Sequence, residues 1–224
     1  MSIVLNRWNV HLSISENYCP VELDDAEEFV DELFANGELI KEDHRSHIVR
    51  GQYKNEGFVA KCYKPSKRRY VIHGLLRGRG SLPAWNNIFT LRKLGIPTLE
   101  PVLLLEQRFL RLPRNSYLVT REIQGVELRT FLKENGGELN YQQLAGLRYL
   151  LEKFYGAQLI HGDMNEANIM VTEQGSLIID LDKLHKPVNR QTFFEQFDVE
   201  RNRFLRKLEP WPIAKAQIAA LFPM

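Results

Sequence analysis

The stretch LIHGDMNEANIMV (Leu159–Val171) sets a His, an Asp and two Asn between short apolar runs. Leu144, Leu147, Leu151, Phe154 and Tyr155 recur at helical spacing and lead into it. Behind it, NIMV, the turn TEQG and SLIID read as a hairpin ending on Asp180. An Asp and an Asn five residues apart, Asp163 and Asn168, can project from one short loop toward two partners at once. The carboxylate faces a hydroxyl and takes its proton while the amide oxygen reaches a metal ion. The hairpin carries a second metal-binding carboxylate back alongside. Singly, each piece has an ordinary explanation, since His-x-Asp is usually a turn and an Asp after a strand is usually a cap. The whole set in order is much harder to reach by accident.

Upstream, Lys61 lies in FVAKCY, a strand. A strand Lys ahead of such a loop is the remaining part of a phosphotransferase of the protein-kinase type. Lys61 is then expected to hold the nucleotide phosphates, Asp163 to act as base, and Asn168 and Asp180 to hold Mg²⁺. Gly162 stands where regulated protein kinases place an Arg, and no Ala-Pro-Glu segment follows Asp180. Control by phosphorylation of an activation loop is therefore not expected. Asp182 is expected to be a turn residue paired with Lys183.

The rest of the chain supplies a frame. WNVHLSIS (8–15) alternates as a half-buried strand. DDAEEFVDELFANG reads as a helix capped at Asp24 or Asp25 and closed by Gly37. Two or three strands fill 38–64, with Gly51 and KNEG (54–57) as turns. A basic helix is expected from about Ser66 to Gly78 and another from Pro83 to Leu94. EPVLLLEQRF and SYLVTREIQG pair as strands, and a last helix over 190–208 turns Phe193, Phe194, Phe197, Phe204 and Leu205 inward. Strands in the first half and helices in the second predict two lobes with a cleft between them.

Composition excludes several classes. The longest apolar run, PVLLLEQRFL, is cut by Glu106 and Arg108, far short of a membrane span. MSIVLNRWNV lacks the features of a secretory signal, and Cys19 and Cys62 make no disulfide framework, so a cytoplasmic location is expected. Residues 21–43 carry ten acidic groups against Lys41 alone, whereas 61–80 carry seven basic groups and no acid. That basic stretch suits an anionic partner or a plain solvated helix. With only Tyr63 and Tyr70 interleaved, it is not expected to bind nucleic acid. His44 and His47 lack further ligands at zinc spacing and are expected to be a surface pair.

HGDMNEANIMV and LIIDLDK resemble the protein-kinase-like superfamily. More narrowly, with VAKCYKPSKRR, GIPTLEP and EIQGVEL, the whole chain resembles the bacterial lipopolysaccharide-core heptose/Kdo kinases. The resemblance implies a two-lobed, protein-kinase-like α+β fold. Its small strand-rich N-lobe (1–124) would bind nucleotide, and its compact helical C-lobe (125–224) would carry the catalytic loop, metal and acceptor. It implies ATP and Mg²⁺ as cofactors and a lipopolysaccharide core or similar glycan as acceptor. Backbone groups of Thr120, Arg121, Glu122 and Ile123 would meet the adenine, and 61–80 would touch the cytoplasmic face of the inner membrane. Two departures stand out. No Gly-x-Gly-x-x-Gly precedes Lys61, leaving Gly51 and Gly57 to approach the phosphates. SLPAWNNIFTLRKL has Asn86 or Asn87 where a Glu partner for Lys61 belongs. Alternatives are a kinase for a protein or small-molecule acceptor, or a nucleotide-binding pseudokinase scaffold.

Overall fold

The computed structural model describes residues 2–7, 10–15, 23–44, 46–64, 81–109 and 112–223. The expected basic helix over 66–78 lies outside the described residues. The chain divides into two compact units, Met1–Asn86 with Glu100–Glu122, and Asn87–Leu99 with Ile123–Met224.

Among the described residues, the first unit is built on a seven-stranded antiparallel sheet with a helix packed on one face. Its strands are β1 (Ser2–Arg7), β2 (Val10–Ser15), β3 (Glu38–Glu42), β4 (Ser46–Tyr53), β5 (Glu56–Tyr63), β6 (Pro101–Phe109) and β7 (Leu112–Arg121), in the order β1-β2-β6-β7-β5-β4-β3. Alternation along β5 buries Phe58, Ala60 and Cys62 and turns Lys61 to the other face. Lys61 stands in register with Ile48 on β4 and Leu118 on β7.

Helix α1 (Leu23–Asn36) lays Ala26, Phe29, Val30 and Leu33 on the apolar face of this sheet, beside Phe58, Ala60 and Val119. Phe29 meets the Tyr53 ring at 4.6 Å and the Phe58 ring edge-on at 5.1 Å. Each such buried side chain contributes about 1.5–3 kcal/mol. The helix starts at Leu23, so Asp24 and Asp25 sit inside the first turn rather than capping it. Gly37 closes it as expected, its amide 2.9 Å from the Leu33 carbonyl.

The β4–β5 turn is tighter than KNEG suggests. Lys54 and Asn55 alone form it, with φ of 51° and 65°, while Glu56 and Gly57 belong to β5. Gly51 and Gly57 are strand residues, paired with Phe58 and Gln52. A Cβ on Gly57 would run into the Glu122 carboxylate, so packing alone leaves little room for a side chain there.

The division between the units falls inside α2 (Leu82–Lys93). Further elements of the second unit are β8 (Val126–Glu127), α3 (Leu128–Glu134), α4 (Tyr141–Ala157), β9 (Ile169–Thr172), β10 (Gly175–Ile178), α5 (Arg190–Lys207) and α6 (Pro212–Ala219). β8, β9 and β10 form a small antiparallel sheet. Asn140 caps α4 reciprocally with Gln143, and Gln158 ends it in the left-handed region. Leu147, Leu150, Leu151 and Phe154 are its buried stripe. Tyr155 meets Phe193 and Phe197 of α5 at 5.6 and 5.2 Å. Phe194 is 36% exposed and sits at the rim of this cluster, its ring 5.5 Å from that of Phe193, and Leu205 is only half-buried. Helices α3 and α6, too short for their periodicity to stand out, complete the unit.

Candidate active site

The loop that carries Asp163 hangs from a buried carboxylate. On α5, Phe193, Phe197, Glu200 and Phe204 are the buried positions, so Glu200 sits in an apolar stripe with only 4% of its surface exposed. A carboxylate at that depth is tolerated only when its oxygens are well bonded. The His161 amide donates to Oε2 at 3.1 Å. The Gly162 and Met164 amides donate to Oε1 at 2.6 and 3.4 Å. Arg203, one turn along α5, donates to the Gly162 carbonyl at 3.0 Å and lies 3.7 Å from Glu200. From the other side, Arg129 of α3 reaches the buried Glu166 at 2.8 Å, and its amide donates to the Glu166 carbonyl at 2.9 Å.

His161 is fully buried and has one tautomer. Its Nδ1 accepts the Asp163 amide at 3.3 Å, so the proton sits on Nε2 and is donated to the Ile179 carbonyl at 3.0 Å. Burial holds its pKa below the usual histidine value, against the opposing pull of Glu200, the Ile179 carbonyl, Asp180 and Asp163. This His is a neutral strut between the Asp163 loop and the segment carrying Asp180.

Asp163, Asn168 and the approach to Asp180 are laced into one web. The side-chain amides of Asn165 and Asn168 donate to the Asp163 carbonyl at 2.8 and 2.9 Å. Asn165 Oδ1 takes the Ala167 amide at 2.9 Å, and the Asn168 carbonyl takes the Ile179 amide at 2.9 Å. Asp180 does not end the strand, as the sequence suggests. β10 stops at Ile178, and Asp180 stands two residues on in the left-handed region, φ 60° and ψ 62°.

Among the described residues no three His, Cys, Asp or Glu side chains converge as a metal cage. The chemistry of the donors nevertheless suits Mg²⁺, which takes hard oxygens from one or two side chains plus substrate phosphates. Asn168 donates through Nδ2, which leaves Oδ1 as a neutral oxygen ligand, and Asp180 supplies a carboxylate.

Lys183 has a partner that local spacing does not reveal: its ammonium lies 2.8 Å from Asp163 Oδ2. Gly162 makes the approach possible: at φ +81°, a Cβ there would lie 2.8 Å from both the Cβ and the carbonyl oxygen of Lys183. Asn87 has a definite task of its own, donating to the Leu181 and Leu184 carbonyls at 2.8 and 3.3 Å.

The other sequence candidates lie in the first unit, except Ile123. Lys61 Nζ stands 4.6 Å from the centre of the Tyr63 ring. Thr120 and Arg121 end β7 in register with Val59 and Phe58. The Arg121 amide donates to Glu100 and the Glu122 amide to Gly57, at 3.0 and 2.9 Å. His47 packs edge-on against Phe34 at 5.3 Å, a structural contact. Sequence reasoning missed Glu200, although a charged residue in the stripe Phe193, Phe197, Phe204 was its signal.

A solved structure described as WaaP in complex with acyl carrier protein superposes with a TM-score of 0.61 at 14% identity. The match covers 95% of this chain and 89% of that one, and it establishes the shared fold. No curated protein sequence matches the chain. The model of the lipopolysaccharide kinase (Kdo/WaaP) family matches residues 24–223. With a match of that extent, the chain belongs to the Kdo/WaaP family of lipopolysaccharide kinases, phosphotransferases acting on sugar hydroxyls of lipopolysaccharide.

Proposed function

We propose that the chain transfers the γ-phosphate of Mg²⁺-ATP to a heptose or Kdo hydroxyl of the lipopolysaccharide core, with Asp163 as general base. The observation that carries this reading is the web joining Asp163 to Asn168 and Asn168 to Ile179, next to Asp180. It holds Asp163, Asn168 and the backbone next to Asp180 on one scaffold, which supports the reading because positioning with charge neutralisation supplies most of the rate in such transfers. Asp163 orients the acceptor hydroxyl and takes its proton as the oxygen attacks. Asn168 and Asp180 hold the metal, whose charge offsets that of the phosphate oxygens. In the first unit, the nucleotide-binding one on this reading, Lys61 takes the α- and β-phosphates. Backbone groups of Thr120 to Ile123 receive the adenine. The reaction runs on the cytoplasmic face of the inner membrane, whose acidic lipids attract the seven basic groups that the sequence carries in 61–80.

A second reading, a nucleotide-binding scaffold, is favoured by one feature. Helix α2 carries no acidic residue to pair with Lys61. One experiment separates the two. Purified protein, ATP and Mg²⁺ are incubated with lipopolysaccharide from a strain lacking core kinases, with Asp163→Ala as the blank, and phosphate gain is read by mass spectrometry. A gain of one phosphate on a core sugar, absent from the blank, supports the kinase. ATP binding without transfer to any core structure supports the scaffold.

A further inference from the structure

The ion pair between Lys183 and Asp163 has no explanation in stability. Both side chains are open to solvent, 60% and 40% exposed, and exposed pairs contribute about 0–1 kcal/mol at most. Yet the pair is built with care. Gly162 adopts a conformation that suits glycine so that the Lys183 backbone can lie against it. Ile160 and His185 exchange two backbone hydrogen bonds of 3.0 Å, fastening the segment before the Asp163 loop to the residues just after Lys183. His185 Nδ1 meets the Lys183 carbonyl at 2.9 Å, and Asn87 holds the carbonyls on either side, those of Leu181 and Leu184. Several contacts thus fix the backbone from which an exposed ammonium reaches the carboxylate of the expected base.

We propose that Lys183 is a catalytic residue, the cation that meets the transferred phosphoryl group. This rests on the reading of Asp163 as base. An ammonium has three N–H donors, and Asp163 Oδ2 takes one. The others face solvent, where the acceptor and the phosphoryl group arrive. In the transfer, the acceptor oxygen forms its bond to the γ-phosphorus as the bond from that phosphorus to the β–γ bridging oxygen breaks. The electron pair leaves with ADP, and the hydroxyl proton passes to Asp163. Lys183 donates to an equatorial phosphoryl oxygen throughout and leaves Asp163 Oδ1 to the hydroxyl. A donor aimed at developing charge is worth about a hundredfold or more in rate.

The test compares wild type, Lys183→Met, Lys183→Arg and Lys186→Met, the last removing the same charge three residues away from an exposed site. Rates of phosphate transfer to lipopolysaccharide and of Mg²⁺-ATP hydrolysis without acceptor are both read, with KM for ATP and the melting temperature. Lys183→Met is expected to lose about a hundredfold in kcat, with KM for ATP within about threefold and an unchanged melting temperature. Lys183→Arg should regain part of the loss, and Lys186→Met should match wild type. A Lys183→Met rate within about threefold of wild type, or an equal loss in Lys186→Met, overturns the proposal. If wild type hydrolyses ATP but leaves lipopolysaccharide untouched, the acceptor assignment fails alone, and Lys183 is judged from hydrolysis. If wild type does neither, both fail.

Discussion

Glu200 Oε1 accepts the Gly162 amide at 2.6 Å, across 38 residues of sequence, and so fastens the Asp163 loop to α5. Glu200→Gln removes the charge and sets an NH₂ group against backbone N–H donors, leaving at least one buried amide unsatisfied. The expected loss is about 2–4 kcal/mol, read as a fall of roughly 5–10 °C in melting temperature. Turnover should fall with it while KM for ATP holds, because what loosens is the geometry of Asp163. Calorimetry and steady-state kinetics on one preparation check both. A Gln variant with wild-type stability and turnover would contradict the anchoring role.

Why Glu200 was harder to see than Asp163 is a matter of range. His161, Asp163 and Asn168 lie within eight residues, so their spacing alone encodes the loop. β5 was legible because Phe58, Ala60 and Cys62 alternate with Lys61. The partners of the loop come from far along the chain: Glu200 and Arg203 from α5, Arg129 from α3, and Lys183 from beyond the hairpin. Lys183 has a local neighbour in Asp182, and its bond to Asp163 across 20 residues leaves no mark in the spacing. Gly51 and Gly57 read as turn residues, yet both lie in strands, packed against Leu33 and Glu122 respectively.

Gly162 and Gly156 should respond oppositely to alanine. Gly162 stands at φ +81°, and its new Cβ would press on Lys183 at 2.8 Å. Gly162→Ala is therefore expected to destabilise by about 1–3 kcal/mol and to lower kcat by displacing Lys183. Gly156 lies within α4, and a Cβ added there would meet nothing within 4 Å. Gly156→Ala should stabilise by about 0.5–1 kcal/mol and leave turnover alone. Denaturant midpoints of the two variants test this, and similar shifts in both would contradict it.

Asp180 and Asp182 should differ sharply as metal ligands. Asp180 follows Ile179, which both Asn168 and His161 hold by hydrogen bonds, whereas Asp182 is exposed within the turn Leu181–Lys183. Asp180→Ala is expected to cost about a hundredfold or more in kcat and to raise the Mg²⁺ concentration needed for half-maximal rate. Asp182→Ala should stay within about threefold on both measures. Mg²⁺ titrations of the two variants decide it, and a reversed ranking would move the metal to Asp182.

Acid should weaken the fold through His161. Its pKa is lowered in the native state, by burial above all, from an ordinary value near 6.5. Above that value the ring is neutral in both folded and unfolded chains, and the neutral strut from Asp163 to Ile179 is fully in place. As pH falls below it, the unfolded chain takes up a proton that the folded chain resists, so stability is lost progressively until the folded pKa is passed. Protonation would also turn Nδ1 into a donor facing the Asp163 amide. Unfolding free energy should therefore decline between about pH 7 and 5 more steeply in wild type than in His161→Gln, whose side chain does not titrate. Denaturant titrations at several pH values give both slopes. Equal slopes would show that His161 does not couple folding to protonation.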